Sequence, residues 1–416
     1  MALLIVRGTA VAIRAAAAIG KAARPGTAVR AAIGVAVALP IAAAGTQTVF
    51  AGTQTAGSGW VLQTLPTPTR SFSGGMGPVS CTSMDACIAI GGGDTTSGDK
   101  PFGEAWNGTN WTLQSIPSGA STDLFGLSCL APADCTAVGR VFDPDQLAVP
   151  LAETWNGTSW TSQRLPLLPG SDDGTLVSVS CTSTTRCVAV GYAGRPGPFS
   201  ENWNGTRWTP HSAPLPAGDV SGEFLGVSCR AYSSCIAVGE VETSSRSIVP
   251  LAESWNGHQW STQEAPAPRG VNADTSLQAV SCHSRNACMA VGGRGDGHTF
   301  QTLAERWDGT AWTIVSMPRI GGGKAQSYLY SVSCPGAAQC TAVGQRTVQD
   351  NRGLLAENWK GTRWRVAHTV KPPGIGDNSF DGVSCLAGQG EQDCMAVGNY
   401  TATTTGRDGL LAEQHS

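Results

Sequence analysis

The tryptophans of this chain recur at a spacing that only a repeat explains. Six pairs stand five residues apart, Trp106/Trp111, Trp155/Trp160, Trp203/Trp208, Trp255/Trp260, Trp307/Trp312 and Trp359/Trp364, and a thirteenth, Trp60, stands alone. A seventh repeat at the C-terminus carries no tryptophan, and the segment Gly59 to Pro66 (GWVLQTLP) supplies the half it lacks. A first segment that completes a last repeat is how a ring closes on itself.

The cysteines give the same count independently. Fourteen fall into seven close pairs: Cys81/Cys87, Cys129/Cys135, Cys181/Cys187, Cys229/Cys235, Cys282/Cys288, Cys334/Cys340 and Cys385/Cys394. From one first cysteine to the next the steps are 48, 52, 48, 53, 52 and 51 residues. A period near fifty is that of propeller blades, well above a leucine-rich or ankyrin unit. An even count with a near neighbour for every cysteine reads as one disulfide per blade, formed in an oxidising compartment. Each short loop so closed contributes about 2 kcal/mol. The dominant C-x5-C spacing is wrong for a zinc knuckle, and the six histidines do not recur with the pairs.

Each unit reads as four strands. An apolar stretch ends in Val-Ser-Cys or Leu-Ser-Cys, as in Phe224 to Cys229, and a polar loop leads to Cys-x-Ala-Val-Gly, as in Cys235 to Gly239. Short apolar runs of this kind pair as a hairpin. A variable loop leads to a third strand such as Leu251 to Trp255, Asn256-Gly257 turns the chain, since both residues tolerate the positive φ of a tight hairpin, and a fourth strand runs from Trp260 to the prolines at 266 and 268. The expected fold is all-β: a seven-bladed β-propeller of four-stranded antiparallel blades, with repeats beginning near residues 75, 123, 174, 223, 275, 328 and 379. Residues 59–66 form the outer strand of the seventh blade, and the indole pairs pack between blades.

The N-terminal region is of another kind. Residues 1–51 carry Arg and Lys but no acid, and their apolar run from Ala31 to Ala44 falls short of the roughly twenty residues of a membrane helix. Val49-Phe50-Ala51 offers a small-residue cleavage site. Residues 1–51 are therefore expected to be an export signal and residues 52–416 a secreted, extracellular propeller with no membrane span, acting as a monomer. A net charge of −3 gives no basic face for nucleic acid.

The turns carry a resemblance. Asn107-Gly108-Thr109-Asn110-Trp111, Asn156 to Trp160, Asn204 to Trp208 and Asp308-Gly309-Thr310-Ala311-Trp312 resemble the Asp-box, the S-x-D-x-G-x-x-W turn between the third and fourth strands of sialidase-like propellers. The Gly-x-x-Trp half is kept, while the first Trp stands at the Asp position and the third-strand Glu at the Ser position. The whole unit, VSC…CxAVG…LAExWNGxxW, also resembles secreted repeat proteins of high-GC Gram-positive bacteria. The resemblance implies the fold and no particular activity.

Repetition separates scaffold from function. The glutamates Glu104, Glu153, Glu201, Glu253, Glu305, Glu357 and Glu413 recur in every unit, as do the serines before each first cysteine, and both are read as architecture with the glutamates hydrogen-bonded. Unique residues lie on loops. Asp123, Asp173, Glu223, Asp274 and Asp377 fall six or eight residues before a first cysteine and are the candidate binding residues, a carboxylate ring at the channel mouth for Ca²⁺ or a polar ligand. Three residues before each cysteine stand Pro78, Gly126, Ser178, Gly226, Ala279, Ser331 and Gly382, which suit a crowded axis and supply no catalytic group. Tyr328, Tyr330 and Asp381 are the unusual polar residues near it. The favoured reading is a non-enzymatic, cofactor-free module for a glycan or an extracellular protein, with catalytic residues assigned to none. A sialidase-like glycoside hydrolase and a purely structural scaffold are the alternatives.

Overall fold

The structure, a computed structural model, describes residues 59–415 apart from 69–72, 96–97, 118, 120, 195–196, 269–273, 296–298, 324, 349–350, 372–374, 389–391, 404–405 and 407. The expected export signal and residues 52–58 lie outside the described residues.

Seven four-stranded antiparallel sheets follow one another along the chain, each in the order inner to outer strand. In blade 4 the strands are Asp219–Ala231, Ser234–Thr243, Ile248–Trp255 and Trp260–Gln263. The other inner strands are Ser73–Ser83, Thr122–Ala131, Thr175–Ser183, Thr275–Ser284, Gln326–Gly336 and Ile375–Ala387, and each packs against the next around the ring. Blade 7 takes its outer strand from the start of the chain: Trp60–Gln63 pairs with Asp408–His415, Trp60 opposite His415 and Gln63 opposite Ala412. The second strands read as unbroken apolar runs, buried from Cys235 to Gly239 in blade 4, because neighbouring blades cover both faces of each sheet.

All fourteen cysteines are paired as expected, one disulfide per blade: Cys81–Cys87, Cys129–Cys135, Cys181–Cys187, Cys229–Cys235, Cys282–Cys288, Cys334–Cys340 and Cys385–Cys394. The second cysteine of each pair opens an apolar strand, and Cys87, Cys135, Cys187, Cys235, Cys288, Cys340 and Cys394 are at most 3% exposed, packed in the hydrophobic core of their blades. Cys87 lies with Trp106 and Trp111, for example, and Cys340 with Trp359 and Trp364. These seven residues therefore belong to the core as well as to the cross-links.

The serine before each first cysteine has a role that its recurrence announced. Its hydroxyl oxygen accepts the backbone N–H of the first cysteine of the next blade: Ser80 from Cys129, Ser128 from Cys181, Ser180 from Cys229, Ser228 from Cys282, Ser281 from Cys334, Ser333 from Cys385 and Ser384 from Cys81, at 2.9–3.1 Å. The seventh bond returns to the first blade, so the circuit is closed. Neighbouring inner strands approach backbone to backbone. A Cβ on Gly226 would sit 2.9 Å from the Cα of Ala279, and one on Gly126 would sit 2.8 Å from the Cα of Ser178.

The indole pairs stack at 5.4–5.9 Å between ring centres, and the second tryptophan of each is buried. Several of these second indoles reach back to the preceding blade: Trp160 Nε1 donates to Gln114 Oε1 at 3.0 Å, Trp312 Nε1 to Gln263 Oε1 at 2.9 Å and Trp260 Nε1 to Ser200 Oγ at 2.9 Å. The Asn-Gly turn differs in detail from expectation. Only the glycine takes positive φ, as at Gly257 (98°), while the side chain of Asn256 accepts the N–H groups of His258 and Gln259 at 2.9 and 3.0 Å. The loop has four residues between the paired tryptophans, so the asparagine acts through its carboxamide as an Asx turn rather than through its φ.

The seven repeated glutamates are completely buried. Glu413 Oε2 accepts the N–H of Val370 at 3.2 Å. Val370 stands six residues after an outer-strand tryptophan, and that place is a proline in every other unit: Pro66, Pro117, Pro166, Pro214, Pro266 and Pro318. A proline has no N–H to give. Among the described residues the carboxyl oxygens of Glu104, Glu201, Glu253, Glu305 and Glu357 have no hydrogen-bond partner, so the expected hydrogen-bonding role fails there. Burial instead pushes their pKa, and that of Glu413, up to about 8, keeping them protonated at neutral pH.

Removal of residues 59–66 exposes the edge of Asp408–His415 and opens the ring, so the truncated protein should melt well below the full chain by calorimetry; unchanged melting refutes closure by this strand. The buried glutamates set a pH dependence. Each of these six holds its proton in the folded state up to about pH 8 but releases it near 4.5 when unfolded. Its stabilisation is complete below 4.5 and is lost as pH rises to 8. Thermal melting should therefore fall from pH 4.5 to 8, and Glu305→Gln should out-melt the parent at pH 8–9 while matching it at pH 4.5.

Candidate functional site

Each inner strand has a register shift just ahead of its repeated half, besides those at its ends. The shift lies between Leu124 and Gly126, Leu176 and Ser178, Phe224 and Gly226, Leu277 and Ala279, Leu329 and Ser331, and Phe380 and Gly382, and is wider in blade 1, from Met76 to Val79. A bulge leaves one residue out of the ladder and bends the strand. It also accounts for the glycine that ends Cys-x-Ala-Val-Gly. In blade 4 a Cβ on Gly239 would clash with the carbonyl oxygen of Glu223, and the same holds at Gly139, Gly191, Gly292, Gly344 and Gly398.

The bulged residues do not repeat. From blade 2 to blade 7 they are Phe125, Val177, Leu225, Gln278, Tyr330 and Asp381: three apolar, then three polar. The cross-strand pairs two residues before them are equally individual. In ring order they are Gly75/Gly92, Asp123/Arg140, Thr175/Tyr192, Glu223/Glu240, Ser276/Gly293, Tyr328/Gln345 and Ser379/Asn399. A scaffold of identical parts thus carries a belt of unlike side chains on its innermost strands.

Blades 4 to 6 link their part of this belt by hydrogen bonds, and blade 7 holds a separate cluster. The carboxyls of Glu223 and Glu240 hydrogen-bond each other directly across the hairpin, and Ser276 bonds Glu240 from blade 5. Ser276 Oγ and Tyr328 OH are 2.5 Å apart, and Gln278 Nε2 donates to Ser276 Oγ at 3.4 Å. The Tyr328 ring lies over Gly293 and packs on Tyr330 at 5.3 Å. In blade 7, Asp381 accepts from Ser379 at 3.1 Å and from Asn399 Nδ2 at 2.7 Å. Burial, reinforced by the charges of Glu223 and Asp274, pushes Glu240 up to about 8, so it holds a proton at neutral pH. Burial likewise pushes Asp381 up to about 7 against the bonds from Ser379 and Asn399, and raises both tyrosines.

The five candidate carboxylates stand at two levels. Asp123 and Glu223 lie in their inner strands six residues before a cysteine; of those eight before, Asp173 and Asp274 stand ahead of their strands and Asp377 within its own. Asp123 is held at 2.9 Å by Arg140, whose guanidinium lies over Phe125 and Phe142. Asp173 accepts the N–H of Gly194 at 2.6 Å, and Asp377 that of Arg352 at 3.1 Å. Only Glu223 and Asp274 come together, around Glu240. Among the described residues no group of three or more His, Cys, Asp or Glu is arranged to hold a metal ion. Sequence reasoning missed Glu240, Ser276, Gln278 and Asn399 as partners; for all but Gln278, which is the bulged residue of its blade, the signal lay in the positions six before the first cysteine and five after the second, where the repeat changes character.

Neither a family model nor a curated protein matches the sequence. Among solved structures, YCF48 from Cyanidioschyzon merolae aligns at 13% identity over 86% of this chain and 99% of its own, with a TM-score of 0.49. A protein of unknown function from Dyadobacter fermentans aligns at 12% identity over 86% and 97%, TM-score 0.48. The six-bladed fucose-recognising lectin of Aleuria aurantia aligns at 11% over 72% and 97%, TM-score 0.45. These likenesses assign no ligand. No helix among the described residues is long and apolar enough to cross a membrane.

With Glu240 protonated and bonded to Glu223, a glutamine should replace it without loss. Glu240→Gln should keep the melting temperature at pH 7, whereas Glu240→Ala, which leaves Glu223 and Ser276 without their partner, should lower it; calorimetry separates the two.

Proposed function

We propose that this chain is an extracellular, non-enzymatic propeller that binds a glycan, as a monomer, at the end of the channel where the inner strands begin. One observation carries the reading. The unrepeated residues of the inner strands form a belt with an apolar half, Phe125, Val177 and Leu225, and a polar half, Gln278, Tyr330 and Asp381. A sugar ring has the same division, C–H faces and a rim of hydroxyls, and aromatic rings with a polar tip serve both. Fourteen cysteines consumed in seven disulfides support export, as does the resemblance of the unit to secreted bacterial repeat proteins and of its turns to the Asp-box.

The carboxyl pair argues against hydrolysis. Glycoside hydrolases keep their two carboxyls about 5 Å apart or more so that the scissile bond fits between them. Glu223 and Glu240 are in hydrogen-bond contact. They serve to orient Ser276 and Tyr328.

A glycan array probed with purified residues 52–416, with and without Ca²⁺, tests the reading. The expected result is selective binding to one sugar class, unchanged by chelation and weakened about tenfold or more by Tyr330→Phe or Asp381→Asn. Silence across the array, with specific capture of a surface protein instead, would favour the interaction scaffold.

A further inference from the structure

Far from the channel, the indole of Trp307 is flanked by two cavities in the cleft between blades 4 and 5, one of 230 Å³ and one of 380 Å³. Arg230, Arg285 and Asn286 line the first, Glu264 and Thr310 the second, and Gln263 and Trp307 belong to both. Trp307 is half-buried and held from behind: it packs on Trp312 at 5.7 Å, and its Nε1 donates to the carbonyl of Arg285 at 3.2 Å. In blade 4 the equivalent Trp255 is covered by His211 at 5.0 Å and is buried.

What singles out this cleft is charge. Arg230 follows the first cysteine of blade 4 and Arg285 stands three residues after that of blade 5; no other blade has a lysine or arginine at either place. Both are exposed, and among the described residues neither has an acidic partner within ion-pair distance. The nearby carboxylate of Asp308 is engaged by its own turn, accepting from Thr310 and Ala311 at 2.7–3.0 Å. Gln263 spends its Oε1 on Trp312, leaving its amide N–H groups as donors. Two guanidiniums, two carboxamides and an indole plane form a set of donors around an apolar face, with Glu264 at the far side.

We propose that this cleft is a second binding site, specific for a uronic acid unit of a polysaccharide. The pyranose ring packs on Trp307, its carboxylate meets Arg230 and Arg285, and Gln263 and Asn286 bind its hydroxyls. Guanidinium groups match carboxylate geometry and bond it about twice as strongly as neutral donors do. Unique residues on a repeated scaffold mark the site, by the same logic that marks the channel belt, but it shares no residue with that belt.

Calorimetric titration with tetragalacturonate tests the assignment, with the fully methyl-esterified tetramer as the neutral control. The acid should bind saturably and the ester about tenfold weaker or worse. Arg285→Gln should weaken the acid by about tenfold, Arg230→Gln/Arg285→Gln should abolish binding, and the exposed Arg365→Gln should leave it unchanged. No binding of the acid, equal binding of acid and ester, insensitivity to Arg285→Gln, or equal affinity for oligoglutamate would overturn the proposal.

Discussion

The hydrogen bond from each first cysteine's N–H to the serine hydroxyl of the preceding blade is the interaction on which this molecule turns. One such bond is worth about 1 kcal/mol. Its weight lies in the circuit, because seven bonds set every inner strand at one height relative to its neighbours and the last returns to the first. Height fixed, the backbones come close enough that Gly, Ala or Ser alone fits at the contact of blades 2 to 7, and the disulfide hairpins, indole pairs and buried glutamates fall into register.

Such a closed ring is rigid and nearly symmetric, and symmetry is a poor binder of a single molecule. The bulge resolves this. By putting one residue of each inner strand out of the ladder, it frees that position from the packing rules that make the blades alike. Side chains there differ from blade to blade, and so do the pairs two residues ahead, where one cross-strand place holds an ion pair in blade 2, a carboxyl pair in blade 4 and a tyrosine in blade 6. The resulting belt is polar on one half and apolar on the other, a difference that a ring of identical blades cannot offer.

The architecture was legible because it is written in the residues that repeat. Tryptophan and cysteine spacing, Asn-Gly turns and the lone Trp60 each report local geometry, and each appears in the structure at the place the spacing assigns. The site was only partly legible. Asp123 and Glu223 share a level that their distance from the cysteine shows, yet their partners Arg140 and Glu240 are opposite polarities at one register position. Asp123 therefore faces a cation and Glu223 a protonated carboxyl. The glutamates were misread in the same way: recurrence marked them as structural, but their donors depend on whether a distant linker offers Val370 or a proline.

By itself the sequence determined the number of blades, their strands, the disulfides and the closure by residues 59–66, because all of these rest on contacts within one repeat or on its recurrence. Tertiary structure alone decided which unlike residues meet: Ser276 with Tyr328, Glu240 with Ser276, Trp307 in the cleft beside Arg230. Those meetings cross from blade to blade over 36 to 77 residues of chain, where a bulge of one residue changes every neighbour, and no local spacing records it.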